Sequence, residues 1–301
     1  MREEEKKNGP SLITHPASFR RTRAKKSLGQ NFLVDERVVE RIVGALGPRG
    51  DEAIIEIGPG RGELTSRLVE RARRVVAVEL DRELVPLLGE RFRACANFHL
   101  VEADALTTDL CALVAPFTRA RVVANLPYYI STAILQRLIE QRACIREMIL
   151  MLQREVVERI TARPGSSERG YLSVLVEAYC EAEALFDVAP DSFRPVPKVW
   201  STVVRLSVRP STAVGVEDEA LFRRLVSAGF AQKRKTIFNN LRGAPAGLRS
   251  RIEKAGGAHQ LLERAQLAPV RRAETLTLEE WAGLARIIEA SAPEASSPSS
   301  R

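Results

Sequence analysis

Ala53-Ile54-Ile55-Glu56-Ile57-Gly58-Pro59-Gly60-Arg61-Gly62 is the stretch that decides the fold. Ala53 to Ile57 is short, mostly apolar and β-branched, and reads as a buried strand. Gly58 to Gly62 reads as a tight glycine turn into a helix carrying Leu64 and Leu68. Position 63 is Glu, so this is not the dinucleotide fingerprint G-x-G-x-x-G. The spacing G-x-G-x-G still lets the backbone come close to a ligand. Downstream, Val75 to Val78 is a second strand ended by Glu79, an acidic residue placed to accept two hydrogen bonds from a ribose diol. Leu84, Val85 and Leu88 trace a helix face. A third strand, Phe98 to Val101, ends near Asp104, which can accept from an adenine amino group. Met148 to Leu152 is a fifth strand, and Cys180 to Val188 and Trp200 to Val208 are closing strands. Strands alternating with helices predict a doubly wound, mostly parallel α/β sheet with right-handed crossovers.

The fourth strand, Arg121 to Ala124, leads into Asn125-Leu126-Pro127-Tyr128. Ser131 is placed to cap the following helix, whose apolar positions are Ile134, Leu135, Leu138 and Ile139. Pro127 keeps Leu126 out of the α region, so the Leu126 carbonyl is free to point outward. Asn125 adds a neutral side-chain acceptor and Tyr128 a flat face. Two acceptors and an aromatic plate suit an exocyclic amino group on a planar ring, such as adenine N6. In a doubly wound sheet ligands bind where strand order reverses, so Gly58–Gly62 and Asn125–Tyr128 are expected to border one crevice. Most Asp and Glu side chains are simply solvated. Features at the carboxyl ends of successive strands are much harder to obtain by accident.

Composition sets the outer limits. The chain has 301 residues, 45% of them hydrophobic, enough for a large domain and a small one. A net charge of +8 suggests a polyanionic partner. No apolar run reaches the roughly 18 residues of a membrane span, and Met1 to Lys7 lacks the apolar core of a signal peptide, so a cytoplasmic protein without a membrane partner is expected. Cys95, Cys111, Cys144 and Cys180 are far apart in sequence and are expected as buried thiols rather than zinc ligands or disulfides. His15, His99 and His259 stand apart, which predicts neither a metal site nor histidine-based catalysis.

Glu56-Ile57-Gly58-Pro59-Gly60-Arg61-Gly62 resembles motif I of S-adenosylmethionine-dependent methyltransferases, and Asn125-Leu126-Pro127-Tyr128 resembles the catalytic motif of adenine-N6 methyltransferases. Gln30-Asn31-Phe32-Leu33, Phe193-Arg194-Pro195-Val196-Pro197-Lys198-Val199 and Phe230-Ala231-Gln232-Lys233-Arg234-Lys235-Thr236-Ile237 complete an ordered set. From about Lys25 to Ala290 the chain resembles the small-subunit rRNA adenine dimethyltransferases of the kasugamycin-resistance type. Trp200 departs from that family, which commonly has Asp there. The resemblance implies S-adenosylmethionine as cofactor, contacted by Asn31, Leu33, Gly58, Glu79, Asp104 and Asn125. It implies catalytic roles for Asn125, Leu126 and Tyr128, with Phe193 packed beside the target base. It also implies a substrate of two adjacent adenines near the 3′ end of small-subunit rRNA, dimethylated at N6 within an immature 30S particle during ribosome biogenesis. A monomer is expected. Two rivals stand beside this reading: a large-subunit rRNA adenine-N6 methyltransferase of the antibiotic-resistance type, and a non-catalytic ribosome assembly factor.

The remaining organisation is expected to follow. Residues 1–24 form a disordered basic tail, 25–210 the Rossmann-like methyltransferase domain, 211–290 a helical rRNA-binding domain and 291–301 a second disordered tail. Residues 232–254 carry Lys233, Arg234, Lys235, Arg242, Arg249, Arg251 and Lys254 against Glu253 alone. A charge run is usually a solvated face, yet this cluster holds most of the net charge, and Lys233, Arg234 and Lys235 are expected to contact phosphates.

Overall fold

The structure is a computed structural model, and it describes residues 23–127 and 129–291. Of the expected tails, 1–24 and 291–301, residues 1–22 and 292–301 lie outside these. In chain order the elements are β1 (Phe32–Leu33), α1 (Glu36–Leu46), β2 (Ala53–Ile57), α2 (Glu63–Leu68), β3 (Arg74–Glu79), α3 (Leu84–Arg91), β4 (Phe98–Glu102) and α4 (Leu110–Leu113). Then come β5 (Ala120–Asn125), α5 (Ser131–Glu140), β6 (Ile145–Gln153), α6 (Arg154–Ile160), α7 (Tyr171–Tyr179), β7 (Cys180–Val188), β8 (Phe193–Arg194) and β9 (Ser201–Val208). The last part of the chain is helical: α8 (Glu219–Gly229), α9 (Ile237–Arg242), α10 (Ala246–Lys254), α11 (Gly257–Arg264) and α12 (Leu278–Ala290).

Seven strands form one sheet in the order β4-β3-β2-β5-β6-β9-β7. β4, β3, β2, β5 and β6 run parallel, and β9 joins β6 antiparallel. Every residue of β2 is buried, as a parallel strand covered on both faces requires. Strand order reverses between β2 and β5. Ile57 lies opposite Ala124 there, so Gly58 and Asn125 leave the sheet side by side at its carboxyl edge. β1 and β8 form a separate antiparallel pair, Leu33 opposite Phe193.

Local chemistry explains the ends of the elements. Asp35 caps α1 by accepting from the Arg37 N–H, and Gly47 closes it at a φ of 56°. Val38, Val39, Ile42, Val43 and Leu46 face the core. α5 begins one residue earlier than a Ser131 cap would require: Ile130 holds the cap position without a side-chain bond, and Ser131 is buried in the first turn. The cysteines also differ from expectation. Cys111 and Cys144 form a disulfide, because α4 and the turn before β6 bring their Cα atoms to 5.4 Å despite 33 residues of separation. Cys95 and Cys180 remain thiols.

Contacts divide the chain into two compact units. One comprises the chain up to Val157 together with Glu183–Val208, and the other comprises Glu158–Ala182 and the chain from Arg209 onward. The second unit thus takes residues 158–182, which the sequence assigns to the first, because α7 packs against α8 and α12. Its core centres on Trp281, which is fully buried beside Phe230 and fills the space that a Cβ on Gly229 would need. Among the described residues no helix is long and apolar enough to cross a membrane.

Candidate active site

The glycine turn after β2 is shaped by what surrounds it. Gly58, Gly60 and Gly62 have φ of 65°, 59° and 84°, a region L side chains rarely adopt. A Cβ on Gly62 would lie 2.6 Å from the Phe92 ring, so this glycine is required by packing. A Cβ on Gly58 would meet no protein atom within 4 Å. That position faces open space, and the bare backbone leaves the space to a ligand. Arg91, 2% exposed, donates to the Arg61 carbonyl and holds the turn from beneath.

One crevice opens at this edge of the sheet. Asn31, Leu33, Gly58, Glu79, Asp104, Asn125 and Leu126 all line it. Glu79 is 6% exposed, and its carboxylate accepts from the N–H groups of Gly60 at 3.2 Å and Asp81 at 2.8 Å. Burial pushes the Glu79 pKa upward, and those N–H groups oppose the rise. Asp104 accepts the Leu106 N–H at 2.9 Å through Oδ1. The Asn125 amide donates from Nδ2 to the Asn31 carbonyl at 3.1 Å. That bond orients the amide, and Oδ1 takes no donor among the described residues. Beside it, the Leu126 carbonyl takes no donor among the described residues.

Two groups here were not singled out from the sequence. Glu56 is fully buried, lines the crevice and accepts the Thr65 hydroxyl at 2.6 Å. Burial lifts its pKa to about 7; the Thr65 hydroxyl opposes that and the nearby Glu79 charge adds to it. A carboxylate inside an otherwise apolar strand just before a glycine turn was the available signal. The second group is Asp81, 3% exposed, which accepts from Lys25 Nζ at 2.7 Å and Gln30 Nε2 at 2.7 Å. Burial would raise the Asp81 pKa, but these two partners bring it below the usual carboxylate value. Together they fasten the segment Lys25–Leu33 over the end of β3. Its residues Leu28 to Leu33 form one wall of the crevice, and Tyr129, 58% exposed, packs on Gly29 at the rim.

Other expected residues lie elsewhere. Tyr128 lies outside the described residues. Phe193 does not line the crevice; it is 1% exposed and packs with Leu33, Val38 and Val188. The physical reason is the β1–β8 pair, which turns the Phe193 ring into the core beneath the crevice wall. Lys233, Arg234 and Lys235 belong to the second unit, in the exposed turn before α9, whose N-terminus Thr236 caps. Among the described residues none of the three forms an ion pair. Arg251, by contrast, is held by Asp218 at 2.8 Å and Arg242 lies over the Phe238 ring. No group of His, Cys, Asp and Glu among the described residues could hold a metal ion.

Residues 21–283 match the family described as ribosomal RNA adenine dimethylase. A ribosomal RNA small subunit methyltransferase A from Geobacillus thermodenitrificans is 43% identical over 269 residues, covering 88% of this chain and 90% of that protein. A dimethyladenosine transferase from Plasmodium falciparum shares the fold, with a TM-score of 0.71 at 23% identity over 86% of this chain and 98% of that one. The 23S rRNA methyltransferase ErmE gives a TM-score of 0.61 at 27% identity, over 86% of this chain and 100% of that one. A family match over residues 21–283 and a relative 43% identical across 88% of the chain make the chain a member of the ribosomal RNA adenine dimethylase family.

Proposed function

We infer that the chain is an S-adenosylmethionine-dependent methyltransferase that dimethylates N6 of two adjacent adenines near the 3′ end of small-subunit rRNA. The observation that carries this is the Asn125–Asn31 bond: it aims Asn125 Oδ1 as an acceptor next to the Leu126 carbonyl, which takes no donor among the described residues. The crevice residues also fit the cofactor. The open space over Gly58 admits a ligand against the backbone, and Glu79 and Asp104 supply acceptors for a ribose diol and an adenine amino group. When bound, S-adenosylmethionine supplies an electrophilic methyl group on a positively charged sulfur.

The chain's own residues do the rest. The lone pair of adenine N6 is delocalised into the ring and is weakly nucleophilic. Asn125 Oδ1 and the Leu126 carbonyl accept the two amino hydrogens and favour a pyramidal nitrogen as positive charge develops there. The product ammonium is acidic and loses its proton without a strong base, which suits a site holding neutral acceptors. The base must leave its stack to reach the crevice, and Tyr128 is assigned the stacking role there. Dimethylation requires the monomethyl product to bind with one N–H fewer, so one of the two acceptors must be dispensable. Lys233, Arg234 and Lys235 hold the RNA backbone. The protein acts as a monomer in the cytoplasm on an immature 30S particle.

The test is incubation with labelled S-adenosylmethionine and separated ribosomal subunits, followed by nucleoside analysis. N6,N6-dimethyladenosine in small-subunit rRNA is expected. Label confined to large-subunit RNA would favour the activity named for ErmE instead, and label in cytosine would overturn the reading altogether.

A further inference from the structure

Trp200 is 50% exposed at the start of β9, flanked by Val196 at 55% and Val199 at 40%. An aromatic side chain left this open has a large unpartnered face. The strand register places it. Asn125 pairs with Met151 on β6, and Met151 pairs with Val203 on β9. Gln153 pairs with Ser201, so the start of β9 lies at the carboxyl end of β6, the same edge where Asn125 and Leu126 open. Val203 is two strands from Asn125, about 10 Å, and Trp200 lies three residues farther toward the open edge, about another 10 Å. The Trp200 carbonyl accepts the Arg154 N–H at 3.0 Å, which fixes the backbone at this point.

Charge selects the partner. The segment from Ser192 to Ser201, which holds β8 and the connection to β9, contains Arg194 and Lys198 and no acidic residue. The Arg194 guanidinium donates to the backbone carbonyls of Asp191 and Phe193, and neither Arg194 nor the exposed Lys198 forms an ion pair among the described residues. A cationic loop presenting an aromatic face is the chemistry of single-stranded nucleic acid recognition: the cations track phosphates and the ring stacks a base.

We propose that Trp200 is a stacking platform for an unpaired rRNA base beside the methylated adenine, an inference that rests on the small-subunit rRNA reading above. It is a positioning residue, acting on where the RNA lies rather than on the reacting nitrogen.

The full chain carries its own probe, since Trp281 is fully buried and Trp200 is half open. Single-stranded oligoadenylate should quench wild-type tryptophan emission and leave that of Trp200→Ala unchanged. With small-subunit particles, Trp200→Ala should raise KM about 5- to 150-fold, the range for losing one base–aromatic stack, at unchanged kcat. Trp200→Phe should recover most of that loss. An unchanged KM in Trp200→Ala, with wild-type methylation normal, would overturn the platform while leaving the enzymatic reading intact. Weaker particle binding with no quenching by RNA would assign the contact to a ribosomal protein and overturn it equally. A wild-type protein that methylates no small-subunit rRNA would remove both readings.

Discussion

Lys25 Nζ lies 2.7 Å from Asp81 Oδ1, joining the first described residues of the chain to the loop that follows Glu79. Gln30 closes the same link: its Nε2 donates to the other Asp81 oxygen, and its Oε1 accepts the Lys25 N–H at 2.8 Å. Asp81 is therefore expected to act on cofactor binding through the wall it fastens. Asp81→Asn should weaken S-adenosylmethionine binding about tenfold, equivalent to roughly 1.4 kcal/mol, with little change in kcat at saturating cofactor. Calorimetry giving wild-type affinity would reduce the link to a surface contact.

Glu79 is expected to act directly. Its carboxylate is buried and oriented by two backbone N–H groups before any ligand arrives. Glu79→Ala should cost about 1.5–3 kcal/mol of cofactor affinity, the range for hydrogen bonds to a charged group. Equal heats of binding for mutant and wild type would show that the ribose is held elsewhere.

Glu56 predicts a pH dependence of stability. Its pKa rises from 4.5 to about 7 in the folded chain, so the native state keeps a proton that the unfolded chain releases. The associated stability is fully present below about pH 4.5 and is lost as the pH rises toward 7, by about 3 kcal/mol in all. Glu56→Gln should flatten that decline in denaturant titrations run across this window. A decline of the same size in the mutant would place its origin in another group.

Chemistry and docking should separate by mutation. Asn125→Ala removes one acceptor for the reacting amine, and single-turnover methylation should fall about 100-fold while particle affinity stays the same. Neutralising Lys233, Arg234 and Lys235 together should do the reverse. Binding should weaken most at low salt, with the salt slope reduced by roughly one unit per lost phosphate contact. An unchanged slope would make the turn a solvated face, and full activity in Asn125→Ala would refute the role given to its amide.

What could be read in the sequence was whatever depends on near neighbours. Gly58, Glu79, Asp104 and Asn125 each end a strand with a clear period, and parallel order alone brings such ends to one edge. Asp35 caps α1 for the same local reason. Features set by distant partners were hidden. Phe193 is buried because β8 meets β1, and Cys111 reaches Cys144 only once α4 docks near the end of α5. Asp81 looks like an ordinary surface acid until Lys25 and Gln30 fold over it. The basic run from Lys233 to Lys254 reads as uniform, yet Asp218 claims Arg251 and leaves the turn before α9 unpaired.

The pairing of Leu33 with Phe193 also sets an order of events on the ribosome that makes this chain. Synthesis delivers the glycine turn, Glu79 and Asn125 well before the partner strand of β1 exists. A nascent chain ending short of Phe193 would have the floor of the crevice but an N-terminal wall with no strand to rest on. Competence to hold the cofactor is therefore expected only once translation has passed β8. Stalled chains released just before and just after Phe193–Arg194 should differ sharply in cofactor retention; equal retention would show that Lys25 and Gln30 alone secure the wall.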